Sequence, residues 1–313
     1  MIRLTLETLD DVSDLLEEYG KLIAKQRNIP SVPIKERFKT SLERNAEIFA
    51  FYNKEDVPVG IVMTSTEEGN PNEVFISAFY CTEKVKDKET LEKRLFDATF
   101  NQLNKKHTVI RVAGIPLSSK LRDHLIASNF RRFDRWQMSI GKSTVKALPK
   151  PNLPLRYTFS KWSSDYRESL IKVITNYNEQ SVDNEVFPYF KNVNTVRAFI
   201  DDLTKNRWGK FEANLTSILM HDGKLIGVSF LTILDNGNGY IPDIGILKIY
   251  QGKGLGKKLL IHSLKHFFGL QDSNEIVLDV TLKNTVALHL YKSLGFQFNR
   301  EYSVFVWSEN DHT

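Results

Sequence analysis

The chain has 313 residues, of which 41% are hydrophobic, 26% charged and 11% aromatic, and it carries a formal charge of +5. That length suits two domains and the apolar fraction supplies two cores, which excludes a disordered or fibrous polypeptide. The start has no basic segment leading into an apolar one and no run approaches ~18 apolar residues, so no membrane partner and a cytoplasmic location are expected.

In chain order, the first half reads as a strand at 2–7, helices at 11–26 and 34–45, and strands at 47–53, 57–65 and 73–81. A helix at 89–103, a strand at 108–114, a helix at 119–129 and a strand at 135–140 complete it. Cys81, the only cysteine, lies in the apolar run 73–81 and reads as a buried thiol in a reducing compartment. Pro149, Pro151 and Pro154 resist both helix and central strand, so 147–155 reads as a stiff linker between domains at 1–146 and 156–313.

The second half repeats the order. Strand 155–162 leads to helices 167–180 and 194–205, then strands 215–223, 224–233 and 240–247. Helix 254–268, strand 275–281, helix 285–295 and strand 302–307 follow. "TLEKRLFDA" lies over "GLGKKLLIH" at an offset of 164, and "SSKLRDHLIASNF" over "NTVALHLYKSLGF" at 166. A near-constant offset across separate elements marks an internal duplication with a whole domain as its period.

The stretch "YQGKGLGKKLL", 250–260, concentrates glycine and lysine at a helix start, which favours a phosphate ligand. Gly252 and Gly256 enclose three residues where a Walker A loop needs four, and Gly252, Gly254 and Gly256 give G-x-G-x-G where a dinucleotide loop needs G-x-G-x-x-G. Both nucleotide readings fail on spacing. Gly256 shares a helix face with Leu260, Leu264 and Phe267, so a side chain there is expected to push the helix off the sheet. In "NTVALHLYKSLGF", Asn284 suits an N-cap, and Gly295 with Phe296 suits a left-handed C-terminal cap.

Gln251-x-x-Gly254-x-Gly256 and, 30 residues on, Asn284, Ala287, Tyr291 and Gly295-Phe296 resemble the two signatures of the GNAT acyltransferases. The resemblance is strong over 240–307 and rests on element order elsewhere in the second half. It implies an α/β fold with mixed (α+β) sheets, arranged as two tandem GNAT-like domains. It also implies an N-acetyltransferase that moves an acetyl group from acetyl-CoA to a primary amine by direct attack. Gln251, Gly252, Lys253, Gly254, Leu255, Gly256 and Lys257 would then form the pyrophosphate loop. Backbone groups of Gly245 and Ile246 would hold pantetheine, with Gly245 marking a bulge that splays the sheet. Asn284 would touch pantetheine, cap its helix, or both. Lys248 departs from the proline that the family often carries there.

For chemistry, the resemblance makes Tyr291 the candidate general acid, against a core-aromatic reading. Asp243 is the candidate base, against an exposed strand-end carboxylate, and Glu185 is a second candidate for the acceptor site. His262 and His266 sit four apart but lack a glutamate and a third ligand, so no metal is expected. In the first half, Asp87, Lys88, Thr90 and Glu92 replace Gln251, Gly252, Gly254 and Gly256, and Leu125 replaces Tyr291, so that copy reads as degenerate. The scattered cations suit a polyanionic cofactor, and no nucleic-acid partner is expected. The acceptor is open between small molecules and peptides, and the oligomer between monomer and homodimer. A non-catalytic acyl-CoA-binding or sensing protein is the alternative function.

Overall fold

The computed structural model describes residues 1–27, 32–44, 46–67 and 70–311. The chain divides into two compact units, Met1–Arg132 with Ser303–Thr313, and Phe133–Tyr302. The units do not divide at the proline-rich segment: nearly all of the strand 131–141 folds with the second half of the chain, and the end of the last strand folds with the first. Apolar alternation reports which face of a strand is buried, but not which neighbour it pairs with.

The first unit runs β1 (Ile2–Leu4), α1 (Ser13–Arg27), α2 (Ile34–Glu43), β2 (Glu47–Tyr52), β3 (Pro58–Glu67), β4 (Asn70–Cys81), α3 (Lys88–Leu103), β5 (Val109–Val112) and α4 (Ser119–Ala127). Asn45, the last residue of the second expected helix, lies outside the described residues. β1 to β4 form an antiparallel meander. α3 then crosses over so that β5 lies parallel to β4, and Phe305–Ser308 close the sheet against β5. One face buries Leu15, Leu16, Tyr19 and Phe38 of α1 and α2. The other buries Leu95, Phe96, Leu121 and Leu125 of α3 and α4.

The second unit begins with β6 (Arg131–Gly141), α5 (Lys142–Ala147), β7 (Tyr157–Lys161), α6 (Arg167–Asn178), α7 (Asp183–Val186), α8 (Val193–Thr204), β8 (Lys210–Phe211), β9 (Ser217–His221) and β10 (Lys224–Ser229). It continues with β11 (Thr232–Ile233), β12 (Gly239–Ile241), β13 (Ile244–Ile246), α9 (Leu255–Leu270), β14 (Glu275–Thr281), α10 (Thr285–Leu294) and β15 (Gln297–Ser308). Its strands fall into two sheets. β6, β14, β12, β11 and β8 form one, with β12 parallel to β14. β13, β10, β9 and β7 form the other, all antiparallel.

Two expected strands are therefore each broken in two. The run 240–247 leaves the first sheet at Ile241 and enters the second at Ile244. Pro242 has no N–H to continue a ladder, so the break falls where the backbone chemistry permits it. The run 224–233 breaks likewise after Ser229. α9 and α10 cover the first sheet through Leu260, Leu264, Phe267 and Leu294. α6 and α8 cover the second through Leu170, Ile174, Phe199 and Ile200.

β13 lies close on β10 because Gly227 has no side chain: an added Cβ would stand 2.4 Å from Ile246 Cγ2 and 2.8 Å from the Gly245 carbonyl oxygen. Gly227→Ala should cost about 1–3 kcal/mol, since backbone lies in the way, and chemical denaturation of the variant checks this.

Candidate active site

The glycine loop connects β13 to α9. Gly252 and Gly254 have φ of 74° and 72°, left-handed values that favour glycine, and a Cβ added to either would meet nothing within 4 Å. The loop is thus shaped by backbone conformation and faces open space. Gly254 is the N-cap of α9 and provides no side-chain cap, so the first-turn N–H groups are left for an anion. In the first unit the matching helix is already capped, because Asp87 accepts from the Thr90 N–H at 3.1 Å. There Glu92 is buried and accepts from Ser118 Oγ, with Lys88 3.8 Å away.

Several expectations about the loop change. An added Cβ at Gly256 would come no closer than 4.0 Å to Ile246 Cδ1, so packing against the sheet does not require glycine there. Helix periodicity placed that residue on the inner face, but the sheet recedes at the first turn. The Gln251 side chain donates to the Ile246 carbonyl at 3.0 Å, so it fastens the loop to β13. Lys253 donates to the Ile249 carbonyl at 3.3 Å and lies over the Tyr250 ring, while Lys258 is bonded to the Asn152 carbonyl. Lys257 is exposed and Leu255 is buried. Lys248 stands 3.9 Å from Glu179.

Gly245 is not at a bulge. It pairs in register with Val228, between the bonded pairs Phe230–Asp243 and Ile226–Leu247, so alternation turns its N–H and C=O toward β10. Ile244 and Ile246 present theirs to the opposite side, where the sheets part. The need for glycine comes instead from Tyr177: an added Cβ would stand 2.3–2.5 Å from its ring.

That ring carries the hydroxyl that donates to Asp243. Burial pushes the Asp243 carboxyl up to about 7, with the charge of Asp183 adding to the shift and the Tyr177 hydrogen bond opposing it. Burial also holds the Tyr177 phenol well above its usual range. Tyr291 is buried in the core beside Phe296, as a core aromatic would be. Its hydroxyl nevertheless has no hydrogen-bond partner among the described residues, and it lies within the field of both Asp183 and Asp243. Burial first, and those two charges next, raise its phenol.

Asn284 uses both ends of its amide. Oδ1 accepts from the Ala287 N–H at 3.2 Å, capping α10, and Nδ2 donates to Asp183 at 3.0 Å. Gly295 ends the helix with φ 93°. Asp183 is the residue that sequence reading missed. It also receives the Thr281 hydroxyl and stands 3.2 Å from Nη1 of Arg135, a buried guanidinium bonded to Thr281 at 2.8 Å and Tyr302 at 3.1 Å. Arg135 lies over the Phe187 ring, and its neighbours Tyr302 and Asp183 hold its pKa above the usual value against burial. Tyr240 donates to Asp279 at 3.2 Å on the same sheet face. Glu185, two residues from Asp183, is exposed.

His262 stacks between Phe159, at 3.9 Å, and His266, at 5.9 Å; burial, with His266 beside it, pushes its pKa down to about 4. No group of three His, Cys, Asp or Glu is placed to hold a metal among the described residues. No described helix is long and apolar enough to cross a membrane. Cys81 is buried, which pushes its thiol up.

Split sheets, a left-handed glycine loop and an uncapped helix start define the class of an acyltransferase fold, and the comparisons agree. The acetyltransferase (GNAT) family model matches residues 180–296. A probable spermine N(1)-acetyltransferase of Bacillus subtilis subsp. natto (strain BEST195) is 38% identical over 90 residues, covering 26% of this chain and 59% of that protein. A spermine/spermidine N(1)-acetyltransferase of Bacillus subtilis (strain 168) is 37% identical over the same length, and the chain spans 59% of it too. Two solved structures match 98% of the chain at a TM-score of 0.67: a GCN5-related N-acetyltransferase from Sphaerobacter thermophilus, 13% identical and 95% covered, and a tandem GNAT protein from the clavulanic acid biosynthesis pathway, 14% identical and 98% covered. The chain therefore has the tandem GNAT fold, and its segment 180–296 is what matches the GNAT acetyltransferase family model.

Gly256→Ala should keep or slightly raise the melting temperature, since the site is open and alanine favours a helix by up to about 1 kcal/mol. A large loss would restore the packing explanation. Asp243 has a raised folded pKa, so the native state binds more protons than the unfolded state between about pH 4 and 7, and stability falls as pH rises through that window. Asp243→Asn should therefore gain on the order of 3 kcal/mol over the parent above pH 7, with the two converging near pH 4 in urea titrations.

Proposed function

We propose that the second unit is an N-acetyltransferase that uses acetyl-CoA and takes the primary amine of a small polycation as acceptor. The observation that carries this reading is the pairing of an uncapped, glycine-built helix start with a carboxyl–phenol pair, Asp243 and Tyr291, in the same unit. The loop fits the pyrophosphate: its glycines leave room that Cβ atoms would fill, and its first-turn N–H groups await an anion. Residues 252–257 would hold the phosphates, and the open side of β13 would lie along pantetheine.

Acetyl-CoA supplies a thioester carbon that the amine attacks, forming a C–N bond and breaking the C–S bond. Asp243, whose carboxyl is pushed up to about 7 by burial, takes the ammonium proton when ionised. Tyr291 keeps its proton at that pH and offers it to the leaving sulfur. The charge of Asp243 raises the Tyr291 phenol, so the proton gained by Asp243 makes Tyr291 a stronger acid when the sulfur needs it. Ile246 and the loop, fastened by Gln251, orient the acyl end.

The polycation follows from charge. Asp183 and Asp279 act on the buried cation Arg135, and Asp183 also acts on Asp243, making an acidic site that a second ammonium group would balance. Relatives named as spermine acetyltransferases support the same class. The first unit, with Asp87 over its helix start, would supply scaffold and no second acetyl-CoA site.

The test is thiol release from acetyl-CoA across spermine, spermidine, single-amine controls and lysine peptides. Spermine should lead, and binding of acetyl-CoA without release on any amine would favour a sensing protein. Tyr291→Phe should lower kcat by about 10²-fold while leaving acetyl-CoA affinity nearly unchanged. Unchanged turnover would return Tyr291 to the core. For the parent, kcat/KM should rise with pH through about 7, and Asp243→Asn should remove that step.

A further inference from the structure

The first unit has an opening of its own. β4 pairs with β3 at Met63↔Ala78 and then at Thr64↔Ile76, so Ser77 is an extra, bulged residue. The parallel pairing of β4 with β5 ends at Ile76↔Val112, one residue before that bulge. A cavity of about 340 Å³ opens there. Met63, Ser77 and Ala78 line it from the sheet, Tyr19 and Ile23 from α1, and α2 lies across it.

The face that α2 turns to the cavity is cationic. Arg37, Ser41 and Arg44 recur at offsets of four and seven residues, one stripe of a helix, and all three line the cavity. Neither arginine has an ion-pair partner among the described residues. The other charge on the wall, Glu36, is engaged by Lys39 at 3.4 Å, and Lys35 is engaged by Asp10. Two unneutralised guanidiniums and the hydroxyls of Thr40, Ser41 and Ser77, over a floor of Tyr19, Ile23, Met63 and Ala78, make a cationic rim on an apolar pocket. Guanidinium binds carboxylate and phosphate through paired N–H donors. The volume is at the small end of the range for small-molecule sites.

We propose that this cavity is a binding site for a small organic anion, a carboxylate or phosphate ester on a compact apolar body, held by Arg37 and Arg44. The site is separate from the acetyl-transfer reading and does not depend on it. The apolar body lies on the sheet between Tyr19 and Met63, while the oxyanion meets the guanidiniums on α2.

Calorimetric titration of the full chain with benzoate, phenyl phosphate and neutral benzamide tests it. Benzoate or phenyl phosphate should bind with a dissociation constant of about 1 mM or tighter, and benzamide at least about tenfold more weakly. Whichever anion binds more tightly identifies the carboxylate or phosphoryl source. The exposed double substitution Arg37→Gln with Arg44→Gln should abolish binding without moving the thermal unfolding midpoint. The proposal is overturned if neither anion binds, if benzamide binds equally well, or if the double variant retains the anion. Should that variant unfold, Arg44→Gln alone, at the cap of α2, must still weaken the anion more than benzamide.

Discussion

The hydrogen bond from Tyr177 to Asp243 is the constraint from which the second unit's site is built. It spans from α6 to the two-residue gap between β12 and β13, where the chain changes sheets. The ring of Tyr177 occupies the volume that a side chain at residue 245 would need, so Gly245 is the condition for the bond. The bond in turn keeps Asp243 in the protein, and enclosure pushes its carboxyl toward neutrality. β13, anchored at one end by Asp243 and along its length by β10, then fixes where the glycine loop starts. Gln251 completes the chain of dependence by fastening that loop back onto Ile246. The aim of the α9 start is thus set from α6, some 75 residues earlier in sequence.

The two units show which parts of this arrangement are scaffold. Both have a pair of parallel strands joined by a crossover that runs through a leucine-rich helix. They differ at the helix start. In the first unit Asp87 answers the exposed N–H groups with the chain's own carboxylate, which satisfies the helix and excludes an outside anion. In the second unit Gly254 leaves those groups unanswered. A cap that stabilises the helix and a cradle that binds phosphate are competing uses of the same donors.

Local chemistry was legible in the sequence where a residue's own backbone requires it. Gly252, Gly254 and Gly295 have positive φ, and Asn284 caps the helix that its position suggested. What failed involved partners distant in sequence. Nothing near Tyr177 signals that it touches Gly245. Gly256 lay on the inner face by periodicity, yet the distance to the sheet at that turn is a tertiary quantity. Arg135 was hidden for the same reason. Its strand pairs with β14 at Arg135↔Thr281, so a residue read as part of the first domain sits in the second unit's site.

That placement of Arg135 explains how a buried guanidinium is tolerated. Enclosure alone would favour losing the charge, and leaving it unpaired would cost several kcal/mol. Asp183, Thr281 and Tyr302 each accept from it, and the Phe187 ring covers its face. Asp183 is thereby tied to β6 and β14 at one oxygen and to Asn284 of α10 at the other. Asn284 also caps α10, the helix that carries Tyr291. The orientation of the candidate acid therefore depends on a network whose cation comes from β6 and whose anion comes from α7. A substitution at Arg135 would disturb Asp183, then Asn284, then the start of α10, reaching Tyr291 without touching it.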